Sequence, residues 1–132
     1  MARLAHLPEG GVLGAVARRH RGAVLDVNEY QAVTWLLRAH ARGGYTWASP
    51  DSPEIYFLTG LRNPTRSLYE FFDDTTAHSA RILAALDAHG VTAIVENRKP
   101  PFSAPLTPEL LGALEARYPH AAELGPYVVR WR

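Results

Sequence analysis

Charged and polar side chains follow two predicted strands of this sequence, at the points where each strand ends. Asp51 lies in the loop after a strand predicted at 45–48, and a second strand, at 91–96, is followed by Asn97, Arg98 and Lys99. In α/β sheets, ligands bind outside the carboxyl ends of parallel strands. Cationic groups bind anionic oxygens, and carboxylates and amides bind hydroxyls. We therefore predict a site for an anionic or polyhydroxyl ligand at this end of the sheet.

A third loop adds candidates to the same site: Arg62, Asn63 and Arg66. If the strands run parallel, the four cations of these loops should converge on one side of the domain: Arg62, Arg66, Arg98 and Lys99. The alternative is structural, because an arginine that pairs with Asp51 or Glu54 would only brace its loop. We expect Arg66 to be a brace, and Arg98 and Lys99 to be exposed.

The sequence offers no convincing catalytic, metal-binding or cofactor-binding set. It contains no cysteine, and its six histidines have no metal-ligand spacing. It also has neither a Gly-x-Ser-x-Gly turn nor a phosphate-binding glycine loop. Asp51, Glu54 and Glu96 are the carboxylates suited to acid–base chemistry, but their spacing nominates no pair. We predict no catalytic residue, no metal and no cofactor.

Length and charge limit the organisation of the chain. With 132 residues it has room for one ordinary domain, and a net charge of +1 gives no general nucleic-acid footprint. Residues 1–25 carry four arginines against one glutamate, so we interpret them as a basic linker or N-terminal arm. Residues 26–132 are predicted to form a single α/β domain, and no apolar run reaches the length of a membrane span.

The predicted elements alternate between helix and strand. A short strand at 23–25 precedes a helix capped by Asn28. After the strand at 45–48, the segment 54–59 fits a short helix with Pro53 in its first turn or a buried strand at 55–58; we favour the helix, ending at Gly60. Helices at 77–89 and from Thr107 onward flank the strand at 91–96. A last strand at 127–131 follows Gly125-Pro126, which permits a terminal antiparallel hairpin. This order predicts a three-layer, Rossmann-like domain with a small, largely parallel sheet.

Several short motifs resemble a known family. The stretch at 53–58 reads Pro-Glu-Ile-Tyr-Phe-Leu, 62–66 reads Arg-Asn-Pro-Thr-Arg, and 94–98 reads Ile-Val-Glu-Asn-Arg. With the last strand, they resemble the soluble extracytoplasmic C-terminal domain of bacterial membrane glycosyltransferases. These enzymes form the protein-O-mannosyltransferase and aminoarabinose-transferase-like group, which uses polyprenyl-phosphate sugars. The resemblance covers about residues 27–132.

The resemblance implies a non-catalytic accessory domain on the extracytoplasmic face of a bacterial membrane. Its partners would be the transmembrane part of its parent protein and a polyprenyl-phosphate sugar or an acceptor. The family's catalytic acid lies in a region with no counterpart here, so no catalytic residue is carried over and the chain would be an excised domain or a free-standing relative. The alternatives are a free-standing small α/β enzyme or ligand-binding protein that uses these loops, and a pure interaction module.

Overall fold

The computed structural model describes residues 23–65 and 78–132, and the predictions made for residues 1–22 and for Arg66 lie outside these ranges. The elements, in chain order, are α1 (Ala23–His40), β1 (Trp47–Ser49), α2 (Pro53–Thr59), α3 (His78–Ala88), β2 (Ala93–Asn97), α4 (Pro108–Arg117), β3 (His120–Leu124) and β4 (Tyr127–Trp131). Across these two ranges, every helix is too short or too polar to cross a bilayer.

The four strands form one mixed sheet in the order β1-β2-β4-β3. β1 and β2 are parallel, whereas β4 is antiparallel to both of its neighbours, β2 and β3. The predicted α/β class and terminal hairpin are confirmed, but the predicted largely parallel sheet is wrong. The reason is that the hairpin folds back through Gly125-Pro126, and its second strand lies beside β2 in the reversed direction.

β2 is the buried centre of the sheet, as its apolar sequence predicted. All five of its residues are buried. Ala93 and Val95 pack in one hydrophobic cluster with residues of α1 and α2, and Ile94 packs in a second cluster with residues of α3 and α4. The side chains of a strand alternate between the two faces of its sheet, so a continuous apolar run buries both faces of β2.

The ends of two helices follow the sequence closely. Pro53 occupies the first turn of α2, and the helix ends at Gly60, whose φ of 74° is a left-handed conformation that glycine adopts without strain. At α4 the Thr107 side chain accepts a hydrogen bond from the Leu110 N–H. These three helix boundaries are therefore encoded locally, by residues at or next to the helix ends.

The start of the first helix differs from the prediction. Residues 23–25 are helical rather than a strand, and Asn28 is a buried residue inside α1 rather than its N-cap. Three consecutive apolar residues fit a strand and a buried helix equally well, so the sequence pattern did not separate the two. The apolar face of α1, including Val33, Leu36 and Leu37, packs in the cluster with β2 and β4.

Candidate functional site

A polar cleft lies at the carboxyl ends of β1 and β2. Its volume is about 460 Å³. Asp51 follows β1, Asn97 is the last residue of β2, and Tyr127 at the start of β4 pairs with Asn97. The remaining polar lining comes from α1, α2 and the loop after β2: Glu29, Tyr30, Glu54 and Lys99. The cleft therefore occupies the position where the strand ends predicted a ligand site.

Glu54 and two tyrosines form a hydrogen-bonded group in the cleft. The Tyr127 hydroxyl donates to Glu54 Oε2 at 2.7 Å, and the Tyr30 hydroxyl lies 3.4 Å from the same oxygen. Burial, and then the contacts with Tyr30 and Glu54, raise the pKa of Tyr127. The phenol therefore stays protonated and serves as a donor to the carboxylate.

No arginine or lysine in the described part of the chain forms an ion pair with Glu54. Glu54 lies in the first turn of α2, directly after Pro53, and this fixes its position. Glu29 lies on α1, and its carboxylate is packed so closely against Gly125 that a side chain at that glycine would collide with it. Carboxylates and phenols thus make up most of the polar lining of the cleft, and these groups bind hydroxyls well.

Asp51 is present at the cleft but is committed to the fold. It is buried, and its φ of 50° places it in the left-handed region that aspartate tolerates better than most residues. Its carboxylate accepts hydrogen bonds from the Phe102 N–H at 2.8 Å, and from the N–H and hydroxyl of Ser103 at 2.6 and 2.7 Å. Burial opposes ionisation, but the bonds from Ser103 and Phe102 outweigh it and lower the pKa of Asp51. Asp51 therefore braces the loop after β2 through these bonds rather than through the predicted arginine.

The three candidates after β2 have different surroundings. Asn97 is buried, and its side-chain oxygen accepts the Lys99 N–H at 3.0 Å, which fixes the turn. The Arg98 side chain is 45% exposed and lies 3.6 Å from Glu123 and 4.0 Å from Glu96. Lys99 is exposed and lines the cleft. Lys99 is thus the cation that this loop presents to the cleft, while Arg98 is drawn towards two carboxylates.

Arg62 and Asn63 lie away from the cleft. Arg62 lies beside Tyr45, which precedes β1. Its guanidinium carbon is 4.5 Å from the centre of the Tyr45 ring, and its backbone N–H donates to the Gly44 carbonyl. The Asn63 side chain accepts bonds from the N–H and hydroxyl of Thr65 and so closes its own loop. The predicted convergence of Arg62 with Arg98 and Lys99 is therefore wrong, since the chain returns to the opposite end of β1.

Glu96 is also held within the fold. Its side chain is 7% exposed. Its Oε1 accepts a hydrogen bond from Arg130 Nη2 at 3.3 Å, so the two residues form a buried ion pair. Arg130 lies a further 3.5 Å from Glu115 of α4. A buried carboxylate of this kind needs its cation, so Glu96 serves packing rather than a ligand. Within residues 23–65 and 78–132, no group of three or more histidine, aspartate and glutamate side chains could hold a metal ion.

Sequence reasoning missed four residues of the cleft, and it named Glu54 only as a brace partner or an acid–base carboxylate. The four are Glu29, Tyr30, Phe102 and Tyr127. Glu29 and Tyr30 lie on a helix whose other face is apolar, and Tyr127 is one residue of a strongly apolar strand. The pairing of Asn97 with Tyr127 across the sheet brings Tyr127 to the cleft, and the packing of α1 against β4 brings Glu29 and Tyr30 there. The available local signal was the polar run at the end of β2, and it led to Asn97 and Lys99.

No protein-family model, no curated protein and no solved structure matches this chain. The cleft and the motif resemblance at 53–66 and 94–98 are therefore the two grounds for a function.

Proposed function

We propose that this chain is a non-catalytic accessory domain of a membrane-embedded glycosyltransferase, acting on the extracytoplasmic face of a bacterial membrane. In this proposal the cleft holds a polyhydroxyl group, from either the acceptor or the lipid-linked sugar donor. The observation that carries it is the Glu54 carboxylate, held at 2.7 Å by the Tyr127 hydroxyl at the ends of two parallel strands.

The chemistry of the cleft suits a sugar. A volume of about 460 Å³ is within the usual range of small-molecule sites, which place a few polar groups among apolar walls. Glu54 and Glu29 accept hydrogen bonds from hydroxyls, and the phenol of Tyr30 both donates and accepts. Phe102 contributes an aromatic surface that is 69% exposed, and Lys99 adds a cation for an anionic group.

The non-catalytic role is supported by the state of the two most buried carboxylates. Asp51 accepts three hydrogen bonds from Phe102 and Ser103, and Glu96 is paired with Arg130. A general acid or base must reach the proton that it transfers, so neither carboxylate is placed for such chemistry.

A second candidate, the free-standing small α/β enzyme or ligand-binding protein, has one observation in its favour. Glu54 and Tyr127 form a carboxylate–phenol pair at an accessible cleft, which is an arrangement that proton transfer uses. The two candidates differ in turnover. An enzyme of this kind would act on an activated sugar by itself, and Glu54→Gln would abolish that activity.

Ligand binding is tested by titrating the 132-residue chain with a monosaccharide and with a water-soluble, short-chain polyprenyl-phosphate sugar, followed by NMR. We expect chemical-shift changes at the amides of Asn97, Lys99 and Tyr127, and at least tenfold weaker binding in Glu54→Gln. Arg62→Ala is the matched control, since Arg62 lies at the other end of β1. Unchanged spectra, or equal binding by Glu54→Gln, would contradict a sugar-binding cleft.

The accessory role is tested with the same substitution in a full-length transferase that carries this domain. There, Glu54→Gln should lower sugar transfer. The chain alone should show no transfer or hydrolysis with polyprenyl-phosphate or nucleotide sugars. Robust turnover by the chain alone, lost in Glu54→Gln, would replace this proposal with the enzyme alternative.

A further inference from the structure

β3 is an exposed edge of the sheet. It lies at the end of the strand order, and its five residues are exposed or half-buried, whereas β1 and β2 are buried throughout. The opposite edge is shielded in part, because Arg62 bridges to Tyr45 beside β1. Within the described ranges no strand pairs with the outer side of β3. It also contains neither proline nor lysine, residues that commonly protect edges from pairing.

The hydrogen bonds of β4 show which groups of β3 point outward. The backbone N–H of Arg98 donates to the Pro126 carbonyl, and the backbone N–H of Arg132 donates to the Thr92 carbonyl. The backbone groups of the even-numbered residues at 126–132 therefore face β2. The odd-numbered residues of β4 therefore face β3, where their partners are His120, Ala122 and Leu124. By this alternation, Ala121 and Glu123 direct their N–H and C=O groups away from the sheet.

We propose that β3 is a self-association surface through which two copies of this chain pair in antiparallel fashion, with a two-fold axis at Ala122. In this register Ala121 of each copy faces Glu123 of the other. Each of these pairs exchanges two hydrogen bonds, because both residues present their N–H and C=O groups outward. All outward-pointing backbone groups of these two residues are then satisfied, and the sheet continues across both copies.

The side chains of β3 favour this register over its neighbours. Ala122 meets its own copy at a non-hydrogen-bonded position, where the Cα atoms of the two strands come closest and two alanine side chains meet without crowding. Glu123 faces an alanine, and Arg98 lies 3.6 Å from its carboxylate. Moving the axis to Glu123 would place two carboxylates opposite each other, and moving it to Ala121 would place Pro119, which has no N–H donor, opposite Glu123.

The surface is tested by analytical ultracentrifugation of the full chain from micromolar to near-millimolar concentration. We expect the mass to rise towards twice 14.6 kDa. Ala121→Pro removes an outward N–H without removing a bond to β4, and it should weaken association at least tenfold. Ala121→Val changes the same position but keeps the N–H, so the dimer should persist. Circular dichroism shows whether each variant folds.

Charge at position 121 gives a second, signed measurement that does not depend on proline. Ala121→Glu would face Glu123 of the other copy and should weaken the dimer, while Ala121→Arg should tighten it, both effects shrinking at high salt. If the chain stays monomeric at every concentration, the proposal is overturned. This holds also if β3 instead pairs with an extended segment of another protein. The proposal would also be overturned if the Ala121→Pro variant folds and still dimerises, or if dimerisation does not respond to the charge at position 121.

Discussion

The two ends of the parallel pair β1 and β2 both carry cationic side chains, but the surroundings of these cations differ. At the carboxyl end, Lys99 and Glu54 line an open cleft, and the ordered groups around them hold the loop in place. At the amino end, the guanidinium of Arg62 lies over the ring of Tyr45, and the centre of that ring is 4.5 Å from the centre of the His89 ring. A cation at one end is available to a ligand, while a cation at the other is packed on an aromatic ring.

The difference arises from how the chain leaves each strand. The loops that follow β1 and β2 both emerge at the carboxyl end, and Asp51 ties them together by accepting bonds from Phe102 and Ser103. The segment after α2 instead runs back beside the residues that precede β1, where the Thr46 N–H donates to the Arg62 carbonyl. An arginine in a polar loop is therefore part of a site only if its loop returns to that end of the sheet.

The largest effect should come from breaking the strand that both ends share. Ile94 is fully buried at the centre of β2 among residues of α3 and α4. Ile94→Ala removes that burial and leaves a cavity, so the free energy of unfolding should fall by about 2–5 kcal/mol. Chemical denaturation of the full chain measures this loss. Ile94→Val, which keeps most of the volume, is the control and should lose much less.

Removing the brace at the carboxyl end should have the next largest effect. Asp51→Ala leaves the Phe102 and Ser103 N–H groups without their acceptor and should lower the free energy of unfolding by about 1–3 kcal/mol. Asp51→Asn keeps an acceptor oxygen and tolerates the left-handed backbone, so it should lose less. An effect of Asp51→Ala no larger than that of Asp51→Asn would contradict the brace.

The same brace predicts a pH dependence. The pKa of Asp51 is lower in the folded protein than its ordinary value of 3.8. The stabilisation is therefore fully present above that value, and it is lost as the pH falls through the lower pKa of the folded state. Denaturation measured from pH 6 down to pH 2 should show this loss in the native sequence and less of it in Asp51→Asn.

At the amino end, Arg62→Ala should cost about 0.5–1 kcal/mol, the usual size of an exposed cation–π contact. Thermal denaturation measures the change. Arg62→Lys retains a cation and should recover part of the loss. Sugar binding in the cleft should be the same in all three proteins, and a change in that affinity would show that the two ends are not independent.

The smallest effects on stability are expected for substitutions of two neighbouring cations at the carboxyl end, which should differ in their effect on ligand binding. Arg98→Ala removes a solvent-exposed pair with Glu123 and should cost under about 0.5 kcal/mol without weakening ligand binding in the cleft. Lys99→Ala should leave stability unchanged and weaken binding of a sugar phosphate several-fold, with less effect on the free sugar. If Arg98→Ala weakens binding of the sugar phosphate and Lys99→Ala does not, the cation that binds the anion lies outside the cleft.

Much of the fold was predictable because its signals are local. The cap at Thr107, the start of α2 at Pro53 and its end at Gly60 depend on residues that are neighbours in sequence. The buried strand at Ala93–Asn97 followed from an apolar run of the right length. Asn97 and Lys99 of the cleft were found because they lie at the end of that strand and in the loop directly after it.

The position of β4 in the sheet was decided only by tertiary structure. β3 runs parallel to β2, as a strand that follows β2 and α4 is expected to do, but β4 inserts between them and pairs with both. The sequence of a strand specifies which faces are buried, and it does not specify which neighbour pairs with it or in which direction. That insertion places Tyr127 beside Asn97 and so completes the cleft.

Apart from residues 23–25, the sequence by itself determined the types of the main elements, the central strand and the polar loops that follow β1 and β2, because propensity, capping and hydrophobic period act over a few residues. Tertiary structure alone decided that Asp51 braces a loop through Phe102 and Ser103, that Arg62 lies at the far end, and that Glu54 meets Tyr127. These contacts join residues about 50 to 70 positions apart, or depend on the path of a returning loop. They are fixed by strand order and packing, which no local pattern encodes.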